Sequence, residues 1–339
     1  MEPIAEKVVG GDVRAAARLM RGLDDAQPGA RRALQDLFPR TGRAYVIGLT
    51  GAPGAGKSSL TDRLIAHHRK EGRTVGVVCV DPTSPFTGGA ILGDRIRMQE
   101  HALDPGVFIR SMATRGNLGG LSRATADVVA VMDAMGKDVV LVETVGVGQD
   151  EIEVAELAHS VVVVAVPGLG DDVQAIKAGV LEIADVFAVN KADREGADRA
   201  VRDLQTMLEL RRSTATQPVL DHDAQHRMRG GEAWDPHDPA WWEPPILKTV
   251  AVRDQGVVEL AAAVERHRAH LEKTGLRRGR EVARARAGFL SLLRERLLAG
   301  ALERLADDHG RLEELAERIA RREADPFRLA DELAARLRA

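Results

Sequence analysis

The sequence predicts an α/β fold, a mostly parallel sheet with helices on both faces, and three observations carry the prediction. Short β-branched apolar runs alternate with helix-period segments from Ala44 to Val250, the pattern of successive βαβ units. A glycine-rich octet, Gly51 to Ser58, joins the first of those runs to a helix. The chain has 339 residues, 44% of them hydrophobic, enough to bury both faces of a sheet.

Taken in order, residues 3–38 read as helical, with Val8, Val9, Val13, Ala16 and Met20 on one side. A second segment around Leu34 and Leu37 follows the break at Gln27-Pro28-Gly29. Strands are expected at residues 45–49, 74–80, 138–142, 160–166 and 186–189. Residues 221–245 are rich in His, Asp, Pro and Trp without periodicity and read as a surface loop before a last strand at 246–250. His222 and His226 stand four apart in that loop but lack a completing ligand set, so they read as solvated. Trp241 and Trp242 read as a packed lid over the sheet edge.

After Gly256 the pattern is helical, with Phe289, Leu293 and Leu297 at i+4 spacing and Leu298, Leu302 and Leu305 extending the stripe. A break at Gly310, a helix with Leu312, Leu315 and Ile319, and a last one opened by Asp325-Pro326 complete the chain. Leu329, Leu333 and Leu337 line that last helix. The expected organisation is an N-terminal helical segment at 1–40, a nucleotide domain at 41–271 and a C-terminal helical region at 272–339. Isolated helices cannot cover that much apolar surface, so the tail predicts a partner subunit.

The 48 basic and 51 acidic residues are interspersed, and the net charge of -3 leaves no electrostatic footprint for nucleic acid. Cys79 is the only cysteine and lies in an apolar run, so a buried reduced thiol is expected and disulfides within the monomer are excluded. No stretch approaches a membrane-spanning length. The expectation is a cytoplasmic protein with neither membrane nor nucleic acid as partner.

Gly51-Ala52-Pro53-Gly54-Ala55-Gly56-Lys57-Ser58 fits the P-loop pattern at every position, between a strand and a helix. Its glycines let backbone amides curl around a β-phosphate, and the helix N-terminus adds its positive end. Lys57 would bridge β- and γ-phosphates, Ser58 would ligate magnesium, and Ser59 continues the phosphate-binding turn. The fold expected is therefore a P-loop NTPase core. Asn190-Lys191-Ala192-Asp193 follows an apolar strand. The Asp193 carboxylate can accept from both the N1 proton and the amino group of guanine, a donor pair that adenine lacks. Lys191 offers an aliphatic stem along the ring, and Asn190 ties this loop to the P-loop.

The strand at 138–142 ends in Glu143, with Gly146 three residues on, where GTPases hold magnesium through water and sense the γ-phosphate with an amide. Many GTPases place a glutamine directly after that glycine to orient the attacking water. Val147 occupies the position here, so intrinsic hydrolysis is expected to be slow, or another residue positions the water. Asp81 and Asp94 are the candidates; Asp81 ends a strand read as lying beside the P-loop strand, pointing to the ligand crevice.

With these motifs the chain resembles the MeaB/ArgK/MMAA family of GTPases, chaperones of adenosylcobalamin-dependent acyl-CoA mutases within the SIMIBI class. The resemblance runs from Gly11-Asp12-Val13-Arg14 onward. It is most specific at the P-loop, at Asp81-Pro82-Thr83-Ser84, at Gly93-Asp94-Arg95-Ile96-Arg97-Met98, at Glu143 to Gln149 and at Pro167 to Gly179. It implies that Ser58, Asp81, Asp94 and Glu143 surround magnesium and the reacting water. It also implies that the segment holding Asp171, Asp172 and Lys177 is a switch toward the mutase, and that C-terminal helices make a homodimer. Methylmalonyl-CoA mutase is the best-known client, with cofactor delivered from an adenosyltransferase. One departure stands out: where many GTPases have Ser-Ala in the last base-contacting loop, this chain has Val250-Ala251. The Ala251 amide would still meet the guanine carbonyl, without a serine hydroxyl beside it.

Two other readings compete. A kinase linked to amino-acid transport, the reading once attached to the ArgK branch, needs an acceptor site and a base for its hydroxyl; neither is recognisable. A metal-insertion GTPase would show a His or Cys cluster with ligand spacing; the histidines read as scattered.

Overall fold

The computed structural model describes residues 2–25, 27–81, 98–101, 103–113, 120–144, 150–168, 182–215, 241–306 and 311–338. They divide into two compact units, Met1–Arg280 and Glu281–Ala339.

In the first unit three helices, α1 (Pro3–Val9), α2 (Val13–Asp24) and α3 (Pro28–Leu37), precede β1 (Tyr45–Gly51), α4 (Lys57–Lys70) and β2 (Val75–Asp81). There follow β3 (Val107–Ala113), α5 (Gly120–Ala134), β4 (Val139–Glu143), α6 (Asp150–Leu157), β5 (Ser160–Ala165) and β6 (Val186–Val189). The unit continues with α7 (Ala197–Ala215), β7 (Ile246–Lys248), α8 (Val257–Lys273) and the start of α9 (Leu276–Ala306). Gly10 and Gly11 separate α1 from α2, and Asp12 caps α2 by accepting from the Arg14 and Ala15 amides at 2.8 and 3.0 Å. Val13, expected on the apolar side, is 45% exposed because it opens the helix just beyond that cap.

Seven strands make one sheet in the order β3-β2-β4-β1-β5-β6-β7, every pair parallel. The α/β expectation holds. Strand β3 is an addition the sequence reading did not make: Arg110 and Ser111 interrupt its apolar run, and it pairs only with β2 at the sheet edge. Alternate side chains of β1 and β4 enter opposite layers, as the two-residue period requires. Val46, Val140 and Val142 pack under α1, α2, α5 and α6, whereas Ile47, Leu49, Val139 and Leu141 pack under α4 and α8. Leu60, Leu64 and Ile65 fix α4 on that second face and are fully buried, each stabilising by roughly 1.5–3 kcal/mol. The N-terminal helices share the first layer with the sheet, so they belong to its core.

At the N-terminal edge of the strands a polar chain is buried. Tyr45 Oη and Ser160 Oγ are 2.6 Å apart, Ser160 Oγ and His267 Nδ1 are 2.7 Å apart, and His267 Nε2 lies 3.3 Å from Asp185 Oδ1. Burial pushes the Tyr45 phenol up to about 12. Trp242 Nε1 donates to Asp185 O at 2.8 Å, its ring against His267 and His270, so this tryptophan packs on α8 and the root of β6. Arg280 Nη1 reaches His159 O and Asp185 Oδ1 at 3.3 and 3.4 Å.

The second unit holds the rest of α9, α10 (Arg311–Ala320) and α11 (Pro326–Arg338). Asp325 Oδ1 accepts from the Arg328 amide at 2.8 Å, the cap the Asp-Pro pair predicts. Phe289, Leu290, Leu297 and Leu298 stand well exposed along α9. Among the described residues no helix is long and apolar enough to cross a membrane.

Candidate active site

β1 lies between β4 and β5; the chain goes from β1 to β2 on one side and from β5 to β6 on the other, and this divergence opens a crevice at the carboxyl ends of the strands. The P-loop fills it. Gly51 holds φ 136°, and a β-carbon there would run into the Val164 carbonyl of β5. Gly56, at φ 89°, caps α4 in the left-handed region that glycine alone enters without strain. Ala52 is half-buried, Pro53 and Gly54 are exposed, and Ala55 is buried.

Lys57 is buried, its Nζ donating to Gly51 O and Ala52 O at 2.8 and 3.0 Å. The ammonium thus arches back over its own loop. Ser58 Oγ donates to Glu143 Oε1 at 2.6 Å, and Thr61 Oγ1 stands 2.8 Å from Glu143 Oε2. The Glu143 carboxylate is 3% exposed, so two hydroxyls one turn apart on α4 hold a charge that burial alone would disfavour. Ser58 and Glu143 form a set of hard oxygen donors suited to magnesium rather than to a thiophilic ion. Thr61 belongs to no motif in the sequence; its part in the site depends on Glu143 in a distant strand. Ser59 is half-buried on the next position of the helix.

Asn190 joins three loops. Its Nδ2 donates to Ala55 O at 2.9 Å, and its Oδ1 accepts from the Ala251 amide at 3.2 Å, with Thr249 Oγ1 at 3.3 Å. The Ala251 amide, expected to face a guanine carbonyl, is therefore engaged by Asn190. Thr249, one position before Val250, brings its hydroxyl to the same Asn190 oxygen. Val250 itself bonds through its amide to Gln255 O at 2.9 Å and closes the loop. Lys191, at φ 57°, sends Nζ to Gly54 O at 2.7 Å, so its stem runs along the mouth of the site. Asp193 Oδ2 lies 3.3 Å from Arg253 Nη2 at the rim.

Asp81 ends β2, yet β4 stands between β2 and β1, so its strand is not beside the P-loop strand as expected. Its neighbour is the strand that ends in Glu143. Asp94, Gly146, Val147, Asp171, Asp172 and Lys177 lie outside the described residues, as do His222 and His226.

Known proteins agree with this architecture. The family model "Methylmalonyl Co-A mutase-associated GTPase MeaB" matches residues 16–305. A Pyrococcus abyssi (strain GE5 / Orsay) relative whose name describes a GTPase is 45% identical over 331 residues, 98% of this chain and 95% of that one. The methylmalonic aciduria type A homolog, mitochondrial, of Caenorhabditis elegans is 40% identical over 157 residues, 46% of this chain and 39% of that one. The crystal structure of an LAO/AO transport system kinase superposes with a TM-score of 0.66 at 22% identity, covering 99% of this chain and 97% of that one; it shares the fold. On the family match and the near full-length likeness, this chain belongs to the MeaB family of methylmalonyl-CoA mutase-associated GTPases.

Proposed function

We propose that the chain hydrolyses GTP with magnesium and works as a chaperone that gates cobalamin loading of, and protects or reactivates, an adenosylcobalamin-dependent acyl-CoA mutase. Methylmalonyl-CoA mutase is the first client to test. The observation that carries the GTPase half is Asn190, which binds the phosphate loop to the base loop through Ala55 and Ala251. The family's description supports the mutase half.

The P-loop amides from Gly51 to Ser59 would take the phosphates, and Lys57 would swing from the Gly51 and Ala52 carbonyls to the γ-phosphate. When bound, magnesium would supply positive charge against the charge that develops on the phosphates. Ser58 and Glu143 would hold it, with Asp81 and Asp94 as the further carboxylates and one of them placing the water. Gly146 would report the γ-phosphate through its amide. Asp193 would read the guanine edge, with Lys191 along the ring and Val250 and Ala251 closing the far side. Asp171, Asp172 and Lys177 would change their state with the partner.

Single-turnover GTP hydrolysis, with and without methylmalonyl-CoA mutase, tests both halves. The slow basal rate should rise about ten- to a hundred-fold on complex formation, a fraction of what a supplied cation achieves in other GTPases. Lys177→Ala should lose the rise and keep the basal rate. Hydrolysis that ignores the mutase discards the chaperone reading and leaves the GTPase standing. Phosphoryl transfer to an amino-acid-transport component instead of water would favour the kinase.

A further inference from the structure

The last turn of α4, the end of the helix opposite Lys57, carries a second group of ligand-capable side chains. His67, His68 and Glu71 each offer a donor atom, and the three atoms lie within 4.8 Å of one another. His67 Nε2 is 3.4 Å from Glu71 Oε1, and His68 Nδ1 is 3.8 Å from Glu71 Oε2. The two imidazoles cross at 70° with centroids 5.5 Å apart. Tetrahedral ligands at zinc bond lengths stand about 3.3–3.5 Å from each other, so small rotations about the side-chain bonds would bring the donors onto one ion.

His68 supplies the independent observation. It is 1% exposed, and neither ring nitrogen has a hydrogen-bond partner among the described residues, a costly state for a buried polar ring. A free imidazole that accepts nothing and donates to nothing is explained if an ion occupies its nitrogen.

The helix end itself favours a cation, against the basic side chains Arg69, Lys70 and Arg73 beside it. The C-terminal end of a helix is the negative end of its dipole. Arg73 Nε sits 3.4 Å from Glu71 Oε2 and is itself paired with Glu265 on α8. It can therefore orient a ligating carboxylate, as outer-shell groups do, with its own charge offset. Arg69 is engaged by Asp104 at 2.8 Å. The Glu71 side chain is 42% exposed, which leaves an access route and room for water as a fourth ligand.

We propose that His67, His68 and Glu71 bind a borderline divalent transition ion of the zinc, cobalt or nickel class, as a two-imidazole, one-carboxylate site completed by water. Two nitrogen donors disfavour magnesium and calcium. Ser58 and His68 are ten residues apart on one helix, about 15 Å at helical rise, so this is not the nucleotide's metal. The sequence hides the site because adjacent histidines leave a helix about 100° apart. Only the carboxylate three and four residues on draws their nitrogens together.

The test uses tag-free full-length protein, stripped with chelator and free of nucleotide, titrated with cobalt(II) at pH 7.5. One equivalent per chain should develop the intense visible bands of four- or five-coordinate cobalt, discharged by zinc. X-ray absorption at the zinc edge should show two imidazoles. His67→Ala and Glu71→Gln, both at partly exposed positions, should each weaken zinc by at least about 10–100-fold, no less than outer-shell losses cost. Circular dichroism and GTP affinity should stay unchanged in both. Absence of uptake, six-coordinate bands only, or full binding in both variants with loss in His222→Ala/His226→Ala would overturn the assignment.

Discussion

Gly56 and Asn190 are fitted to each other: a β-carbon on Gly56 would overlap Asn190 Nδ2, the atom that donates to Ala55 O at 2.9 Å. Gly56→Ala would add a left-handed backbone cost of about 1–2 kcal/mol and displace the carboxamide. GTP affinity should fall roughly ten- to a hundred-fold. Titration with a fluorescent guanine nucleotide measures it; wild-type affinity in the variant would show that the fit is idle.

Asp193 stands at the rim, its carboxylate 3.3 Å from the Arg253 guanidinium. Asp193→Asn reverses one hydrogen-bond polarity, so GTP should weaken by about 1.5–3 kcal/mol, roughly ten- to a hundred-fold, while xanthosine triphosphate gains. Competition binding with the four triphosphates checks this, and equal ATP and GTP binding by the wild type would sink it.

The α9 stripe bears on assembly. Phe289 is 63% and Leu297 66% exposed, more apolar surface than a lone helix sustains. The full chain should run as a dimer by light scattering, and Phe289→Glu/Leu297→Glu should convert it to a monomer that still binds GTP. A wild-type monomer at micromolar concentration would refute the expectation.

His68 makes stability depend on pH. Its folded pKa of about 4 lies below the ordinary 6.5, so the unfolded chain takes up the proton first as pH falls. The contribution is complete above 6.5 and is lost between 6.5 and 4, on the order of 2 kcal/mol between pH 7.5 and 5. Charged neighbours Arg73, Glu71 and Glu265 and the ring of His67 keep their places in His68→Gln. Urea midpoints in chelator should therefore shift less with pH in that variant than in the wild type; parallel shifts would place the dependence elsewhere.

Much of this was legible from residues alone, for physical reasons. Gly51 to Ser58 and Asn190 to Asp193 are contiguous, and each places its chemistry through local backbone geometry, so their spacing speaks without tertiary information. Continuous apolar runs exposed β1, β2, β4, β5 and β6, because strands buried on both faces need no alternation. β3 stayed hidden, since an edge strand tolerates Arg110 and Ser111. Thr61, Thr249 and the Tyr45–Ser160–His267–Asp185 chain were illegible for another reason. Each depends on partners up to 115 residues away, brought together only by the sheet.

Strand β6 has four residues, all buried, clamped between β5 and β7. Asp185 precedes it and Asn190 follows it. At one tip the carboxylate and carbonyl of Asp185 gather His267, Trp242 and Arg280; at the other the Asn190 carboxamide gathers Ala55 and Ala251. Five residues of extended chain span about 17 Å and have almost no slack to absorb a displacement. The cluster that holds Trp242 and His267 and the cluster that ties Ala55 to Ala251 are therefore the two ends of one short, fully buried strand.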